Sequence, residues 1–330
     1  MKRHRWMLLI TILMCTAFAG VSAQTDTVTQ YGSQDITWRL DAAIDYAAGP
    51  AEGTNLFMSV ATDAEGNIYV ANLNNVLVID GETGETIDTI FDESGTIQQY
   101  SDVAVAADGT LWIADNRSRV YRVDASGTIL TTVAFEPVPP GFTDERNPGR
   151  IEVDPDGNLY VNYSGFGIFF QVFSPEGEYI RSIITGAGRL SGVNHFTFAA
   201  DGTLFFQGAG IGWITEEDGQ AVVHEFAAEF MEQQVFIQFY GIAMDDAGNI
   251  YFSAGADGDS GVTVFQLDSE GALIGQYGRG QERARWADEF GTDEIGHTAA
   301  LAFAADGSLI IADINNTNSK LTKLTIQHED

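Results

Sequence analysis

Cysteine is almost absent from this sequence. Its one cysteine, Cys15, lies in an apolar run from Trp6 to Val21 that follows four basic residues. This order predicts an export signal over residues 1–23, cleaved after Ala23. The exported chain would then have no disulfide, thiol nucleophile or cysteine-bound metal. The alternative is an uncleaved anchor helix, although the sixteen residues of the run are fewer than the roughly twenty that span a bilayer.

Basic residues are also scarce. The chain has 16 Lys and Arg against 47 Asp and Glu, which gives a formal net charge of −31. An acidic surface of this kind repels phosphate backbones and anionic lipid headgroups. The composition therefore predicts no nucleic-acid partner, and no membrane insertion once the signal is removed.

The chain does contain a repeat. The stretch "AADGTLWIAD" from Ala106 returns as "AADGTLFFQG" from Ala199 and as "AADGSLIIAD" from Ala304, with looser copies between them. Every copy contains a turn glycine, and consecutive turn glycines lie 43 to 59 residues apart: Gly66, Gly109, Gly157, Gly202, Gly248 and Gly307. A period in this range is typical of repeat architectures.

Each repeat unit reads as four short strands joined by tight turns. In the second unit, "VAVA", "TLWIAD", "RVYRVD" and "TILTTVAF" are β-rich runs separated by Gly-containing turns. Four antiparallel strands per unit indicate a propeller blade. The sixth unit lacks a fourth strand, and "ITWRLDAAI" from Ile36 is unassigned. We therefore predict an all-β, six-bladed propeller over residues 24–330, closed by the N-terminal strand, which would cover an open edge in the last blade.

The units "VAVAADGTLWIADNRSRVYRVDASGTIL" and "IAMDDAGNIYFSAG" resemble the NHL-repeat family and are similar to gluconolactonase-like six-bladed propellers. The resemblance implies the fold, but propellers of this kind include binding modules, hydrolases and lyases. The gluconolactonase-like members imply a divalent metal held by Glu, Asn and Asp at the channel mouth. Of the positions counted below, only Asp102 offers a carboxylate, and Arg150 would repel a cation; Glu52 is a conceivable substitute. We therefore predict no metal.

Candidate site residues follow from the position of each first strand. Counting seven residues back from the turn glycines gives the residues that begin these strands: Ser59, Asp102, Arg150, His195, Gly241 and Ala300. An Asp and a His near an Arg are suited to binding an anionic or hydroxylated ligand, or to acid–base catalysis by Asp102 and His195. The alternative is structural: Asp102 and Arg150 form an ion pair between blades, and His195 caps a loop.

The longest connection, residues 275–300, supplies a second set of candidates. Arg283 and Arg285 lie beside Trp286 in the most basic stretch of an acidic chain, and His297 lies just before the last blade. Long loops are often functional, and Arg with Trp is frequent at interfaces. These residues are candidate ligand contacts, or else they neutralise nearby carboxylates and fill a seam between blades.

No complete catalytic motif is present in the sequence. We therefore expect an exported binding propeller, periplasmic, cell-surface or extracellular and monomeric, with no cofactor. Its mouth loops would bind a protein, a glycan or a small molecule. The alternative is a lactonase-like hydrolase or a lyase with its active site at the channel mouth.

Overall fold

The fold is described by a computed structural model. It covers residues 57–117, 119–137, 148–163, 168–185, 192–217, 220–233, 238–255, 262–278, 295, 299–313 and 319–326, together with the backbone of residues 35–41. Apart from one six-residue helix, the regular structure of these residues consists of strands. None of the helical residues described forms a segment long and apolar enough to cross a membrane.

The strands form six antiparallel sheets of four, which are the blades. The chain begins with β1 (Asp35–Asp41). The first three blades then follow in order: β2 (Phe57–Thr62), β3 (Asn67–Asn72), β4 (Asn75–Asp80), β5 (Thr86–Ile90); β6 (Tyr100–Val105), β7 (Leu111–Asp115), β8 (Val120–Val123), β9 (Ile129–Thr132); and β10 (Pro148–Val153), β11 (Leu159–Tyr163), β12 (Ile168–Phe173), β13 (Tyr179–Thr185).

The remaining three blades continue the pattern. The fourth contains β14 (His195–Phe198), β15 (Leu204–Gln207), β16 (Ile211–Glu217) and β17 (Gln220–Phe226), after which comes α1 (Ala228–Gln233). The fifth contains β18 (Gln238–Met244), β19 (Ile250–Gly255), β20 (Thr263–Leu267) and β21 (Leu273–Tyr277). The sixth contains β22 (Ala299–Phe303), β23 (Leu309–Asp313) and β24 (Lys320–Thr325), and β1 completes it.

The blades close into a ring. The first strand of every blade contacts the first strands of both neighbouring blades, including β22 of the sixth blade with β2 of the first. Strand β1 pairs antiparallel with β24, with Asp35 opposite Thr325 and Asp41 opposite Lys320. The all-β six-bladed propeller and its closure by the N-terminal strand are thus confirmed. The six turn glycines have φ between 78° and 92°, a conformation that side chains disfavour.

The core is divided into six apolar clusters, one at each seam between neighbouring blades. At the seam between the second and third blades, for example, Trp112 packs with Leu159 and Val161, and all three are fully buried. Both faces of a blade therefore bury apolar side chains. This explains why the strands read as hydrophobic runs without clean alternation.

Each blade narrows toward the axis of the ring, and the residue sizes follow this taper. The residues five positions before the turn glycines form one layer of the first strands. We call it the inner layer: Ala61, Ala104, Glu152, Thr197, Ala243 and Ala302. Their partners on the second strands are large: Tyr69, Trp112, Tyr160, Phe205, Tyr251 and Ile310. Apart from Glu152, the residues near the axis are small and their partners on the second strands are large, as expected for a tapering interior.

The seam that closes the ring also contains polar links. The Nζ of Lys323 donates to the carbonyl oxygen of Gly81 in the first blade at 2.6 Å, and to Oδ2 of Asp306 at 2.6 Å. The hydroxyl of Thr62 donates to the carbonyl of Phe303 across the same seam at 2.6 Å. Lys323 is only 3% exposed, so its charge depends on these partners.

We expect Lys323→Met to lower the free energy of unfolding by about 1.5–3 kcal/mol, the usual contribution of a hydrogen bond to a charged group. Urea denaturation measures the change. Arg117→Met, at an exposed position, is the control and should stay within about 0.5 kcal/mol of the unmodified chain. Equal losses in both variants would show that the Lys323 links do not stabilise the seam.

Candidate functional site

The mouth of the channel is the end at which the first strands begin. We call its residues the mouth layer: Ser59, Asp102, Arg150, His195, Gly241 and Ala300. In four blades the strand pairing is irregular here, between Phe57 and Ser59, Tyr100 and Asp102, Pro148 and Ile151, and Phe239 and Gly241. Irregularities of this kind re-aim side chains and backbone groups. They free groups at the mouth from regular strand pairing.

Asp102 lies at the centre of a hydrogen-bond network at this mouth and is 2% exposed. Its Oδ2 accepts the backbone N–H of Ile151 in the third blade at 2.7 Å, and its Oδ1 accepts the N–H of Val103 at 3.0 Å. The Ser59 side chain of the first blade is also hydrogen-bonded to it. Burial raises the pKa of Asp102, while Arg150 and these hydrogen bonds oppose the rise.

Arg150 links four blades. Its Nη1 lies 3.6 Å from Oδ1 of Asp102 in the second blade and donates to the carbonyl of Met58 in the first at 3.0 Å. Its Nη2 lies 3.2 Å from Nε2 of His195 in the fourth blade. The Arg150 side chain remains 18% exposed. Its Nε has no hydrogen-bond partner among the residues that the structure describes.

His195 is held as a neutral imidazole. Because a guanidinium can only donate, Nε2 of His195 accepts from Arg150, and the ring proton lies on Nδ1. Burial lowers the pKa of His195 well below its usual value, and the charge of Arg150 lowers it further. Within the described part of the chain, Nδ1 has no hydrogen-bond partner. The mouth thus offers two N–H donors that no described residue uses, on Arg150 and His195.

Two residues with buried side-chain amides, Asn162 and Gln207, lie beside Arg150 and His195. The backbone N–H of Arg150 donates to Oδ1 of Asn162, and Nδ2 of Asn162 donates to the carbonyl of Val193 in the fourth blade at 2.8 Å. A Cβ on Gly149 would lie 2.7 Å from Oδ1 of Asn162, so a side chain there would displace the Asn162 amide. Gln207 pairs with His195 in the strand register, is fully buried, and leaves its Oε1 without a partner in the described residues.

Glu152 lies one layer deeper on the same strand as Arg150. It stands in the inner layer, where the other five blades have Ala or Thr, and its side chain is partly exposed. Surrounding protein and the nearby charge of Asp102 raise the pKa of Glu152 to about 8. Its carboxyl group is therefore mainly protonated at neutral pH.

The structure brings four of the candidate residues together in space. Counting from the turn glycines brings together Ser59, Asp102, Arg150 and His195, and the predicted ion pair between blades is present. His195 contacts Arg150 instead of capping a loop. The other candidates, His297, Arg283, Arg285 and Trp286, lie outside the described residues, as do Glu52 and the export signal.

The candidate site residues predicted from the sequence do not include Glu152, Asn162 or Gln207. A signal for Glu152 exists in the sequence: counting five residues back from the turn glycines, instead of seven, gives one acidic residue among four alanines and a threonine. Counting five residues forward gives Asn162, Gln207 and Ser253 in three consecutive blades, against alanine in the other three. The first set departs from the small residues that the taper favours near the axis, and the second departs from the alanine of the other three blades.

Comparison with known proteins supports the fold alone. The chain is similar to a gluconolactonase from Xanthomonas campestris, with 18% identity, a TM-score of 0.54, and coverage of 82% of this chain and 87% of the other. It is also similar to a protein described as a putative gluconolactonase, with 15% identity, a TM-score of 0.54, and coverage of 85% and 92%. No family model matches the sequence. No curated protein matches it either.

The divalent metal implied by the gluconolactonase-like resemblance does not fit the described mouth. Both oxygens of Asp102 already accept N–H groups, and the guanidinium of Arg150 occupies the space beside them. A cation there would have to displace a positive charge in a poorly solvated site. No group of three or more His, Cys, Asp or Glu suited to a metal occurs among the residues described.

The raised pKa of Glu152 predicts a pH dependence of stability. Between about pH 4.5 and about 8, the folded chain keeps the Glu152 proton and the unfolded chain loses it, so stability falls as pH rises. Glu152→Gln should remove this decrease. The stability of the variant relative to the unmodified chain should therefore increase with pH across that range. Urea denaturation at a series of pH values measures both.

The control for this experiment is Glu93→Gln, at an exposed position after β5. Its stability curve should run parallel to that of the unmodified chain. If Glu152→Gln also runs parallel to it, Glu152 does not hold its proton in the folded state.

Proposed function

We propose that this protein is an exported propeller that binds a neutral, oxygen-rich small molecule, such as a sugar or a cyclic ester, at the channel mouth. One observation carries the proposal: Nε of Arg150 and Nδ1 of His195 have no hydrogen-bond partner in the described residues, and Arg150 is partly exposed. Donors fixed in place by the fold favour ligands that present oxygen acceptors.

The charges favour a neutral ligand over an anion. The negative charge of Asp102 offsets that of Arg150 at 3.6 Å, and the chain as a whole carries a formal charge of −31. An approaching carboxylate or phosphate would therefore be repelled at long range and gain little at the mouth. Carbonyl and hydroxyl oxygens accept the same N–H groups without that repulsion.

Binding is favoured over catalysis because the two predicted catalytic residues are already engaged. Both oxygens of Asp102 accept hydrogen bonds, and the lone pair on Nε2 of His195 faces Arg150. Neither group is free to take a proton from a substrate or from water.

We expect Arg150→Met to weaken binding of gluconolactam by at least tenfold at pH 7, since it removes the charged donor at the mouth. Gluconolactam keeps the ring carbonyl and hydroxyls of the lactone but resists hydrolysis, and isothermal titration calorimetry measures the affinity. Arg122→Met is the matched control, because Arg122 pairs with Asp108 at a hairpin turn. Equal affinity in the two variants, or no binding by the unmodified chain, would contradict the proposal.

A second candidate function is hydrolysis of a lactone, which the similarity to proteins described as gluconolactonases favours. Arg150 and His195 would donate to the lactone carbonyl and stabilise the negative charge that develops on its oxygen. Glu152, once ionised, would take the proton from the attacking water. Acid release from glucono-1,5-lactone, above the spontaneous rate, should then increase toward pH 8 and disappear in Glu152→Gln.

The mouth geometry also predicts that neither binding nor hydrolysis depends on a divalent metal. Elemental analysis of the purified chain should find well under one divalent ion per molecule, and treatment with EDTA should leave gluconolactam binding unchanged. One tightly held ion per chain, lost together with binding, would overturn this expectation.

A further inference from the structure

Glu152 is the one acidic side chain in the inner layer. It forms no hydrogen bond with any residue that the structure describes. In the same layer Ala61, Thr197 and Ala302, from three other blades, are also partly exposed. Solvent therefore reaches this depth of the first strands.

Glu152 and Arg150 lie close together on the third blade. They are two residues apart on β10, with Cα atoms at most about 6.6 Å apart, and the irregular pairing between Pro148 and Ile151 lies on the mouth side of Glu152. The β10–β11 pairing places Glu152 opposite Tyr160, which packs in the seam toward the fourth blade. His195, on the first strand of that blade, lies at the mouth beside Arg150. A molecule held at the mouth can therefore extend to Glu152.

The charged groups around Glu152 favour its protonated form. Across the six first strands, the acidic, basic and histidine side chains are only Asp102, Arg150, Glu152 and His195. Arg150 is paired with Asp102, His195 is neutral, and the hydroxyl of Tyr160 accepts from Arg181. No described cation is left to pair with an ionised Glu152, in agreement with its pKa of about 8.

We propose that Glu152 is a specificity-determining residue that donates its carboxylic proton to a second oxygen of the ligand, deeper in the channel than the oxygen held by Arg150 and His195. This inference rests on the proposed binding function. It narrows the ligand class to neutral molecules with two acceptor oxygens at opposite ends, the second being a carbonyl or ether oxygen.

The test uses two neutral probes that differ only in the second oxygen: cyclohexane-1,4-dione and cyclohexanone. At pH 6.5 the unmodified chain should bind the dione about five- to tenfold more tightly, the effect of one additional hydrogen bond. Glu152→Leu should remove this preference, so that the two probes bind alike. Glu152→Gln, which keeps an N–H donor of similar shape, should retain most of it. Ligand-observed NMR titration measures these weak affinities.

A pH series provides a readout that a purely structural role would not change. Dione binding by the unmodified chain should fall about tenfold between pH 6.5 and 9.5, because an ionised carboxylate cannot donate to a carbonyl. Glu152→Gln should bind the dione equally at both pH values. A preference for the dione that persists in Glu152→Leu, no preference in the unmodified chain, or no effect of pH would each overturn the inference.

The experiments distinguish failure of the role proposed for Glu152 from failure of the proposed function. If gluconolactam binds through Arg150 while the dione and cyclohexanone bind alike, the mouth site stands and the role of Glu152 fails. If gluconolactam does not bind and Arg150→Met has no effect on either probe, the proposed function itself fails.

Discussion

The taper of the blades toward the ring axis is the constraint on which the rest of the structure depends. Six first strands meet around one channel, so their inner layer has room for little more than Ala, while Trp112 and Tyr251 fill the wider space on the second strands. The seams between blades then close mainly by apolar packing, and polar links such as those of Lys323 are added to it. A large polar residue on a first strand is therefore an exception.

The exceptions lie together in consecutive blades. Asp102, Arg150, Glu152 and His195 come from the second, third and fourth blades. Irregular pairing in β6 and β10 lets Asp102 and Arg150 leave the regular ladder. The backbone N–H of Arg150 donates to the side-chain oxygen of Asn162. Among the described residues, the network pairs the charge of Asp102 but leaves a donor on Arg150, a donor on His195 and the acid of Glu152 without a partner. This incomplete pairing is the basis of the function proposed for the mouth.

Much of this arrangement could be predicted because a repeat fixes equivalent positions. Ser59, Asp102, Arg150 and His195 share one offset from their turn glycines, and the six blades superimpose those offsets on one ring. Glu152 and Gln207 could have been found by the same counting at other offsets. The carbonyl of Met58 could not, because every residue has a carbonyl and only the irregular pairing in β2 frees this one for Arg150.

The sequence by itself determined the number of blades, the closure of the ring by β1, and which side chains stand at the mouth. These follow from local periodicity, which needs only the order of residues. Tertiary structure alone decided that Arg150 reaches Met58, Asp102 and His195 at once, that His195 is neutral, and that Glu152 keeps a proton near neutral pH. Those properties depend on distances between blades and on partial burial, and both exist only when all six blades are assembled.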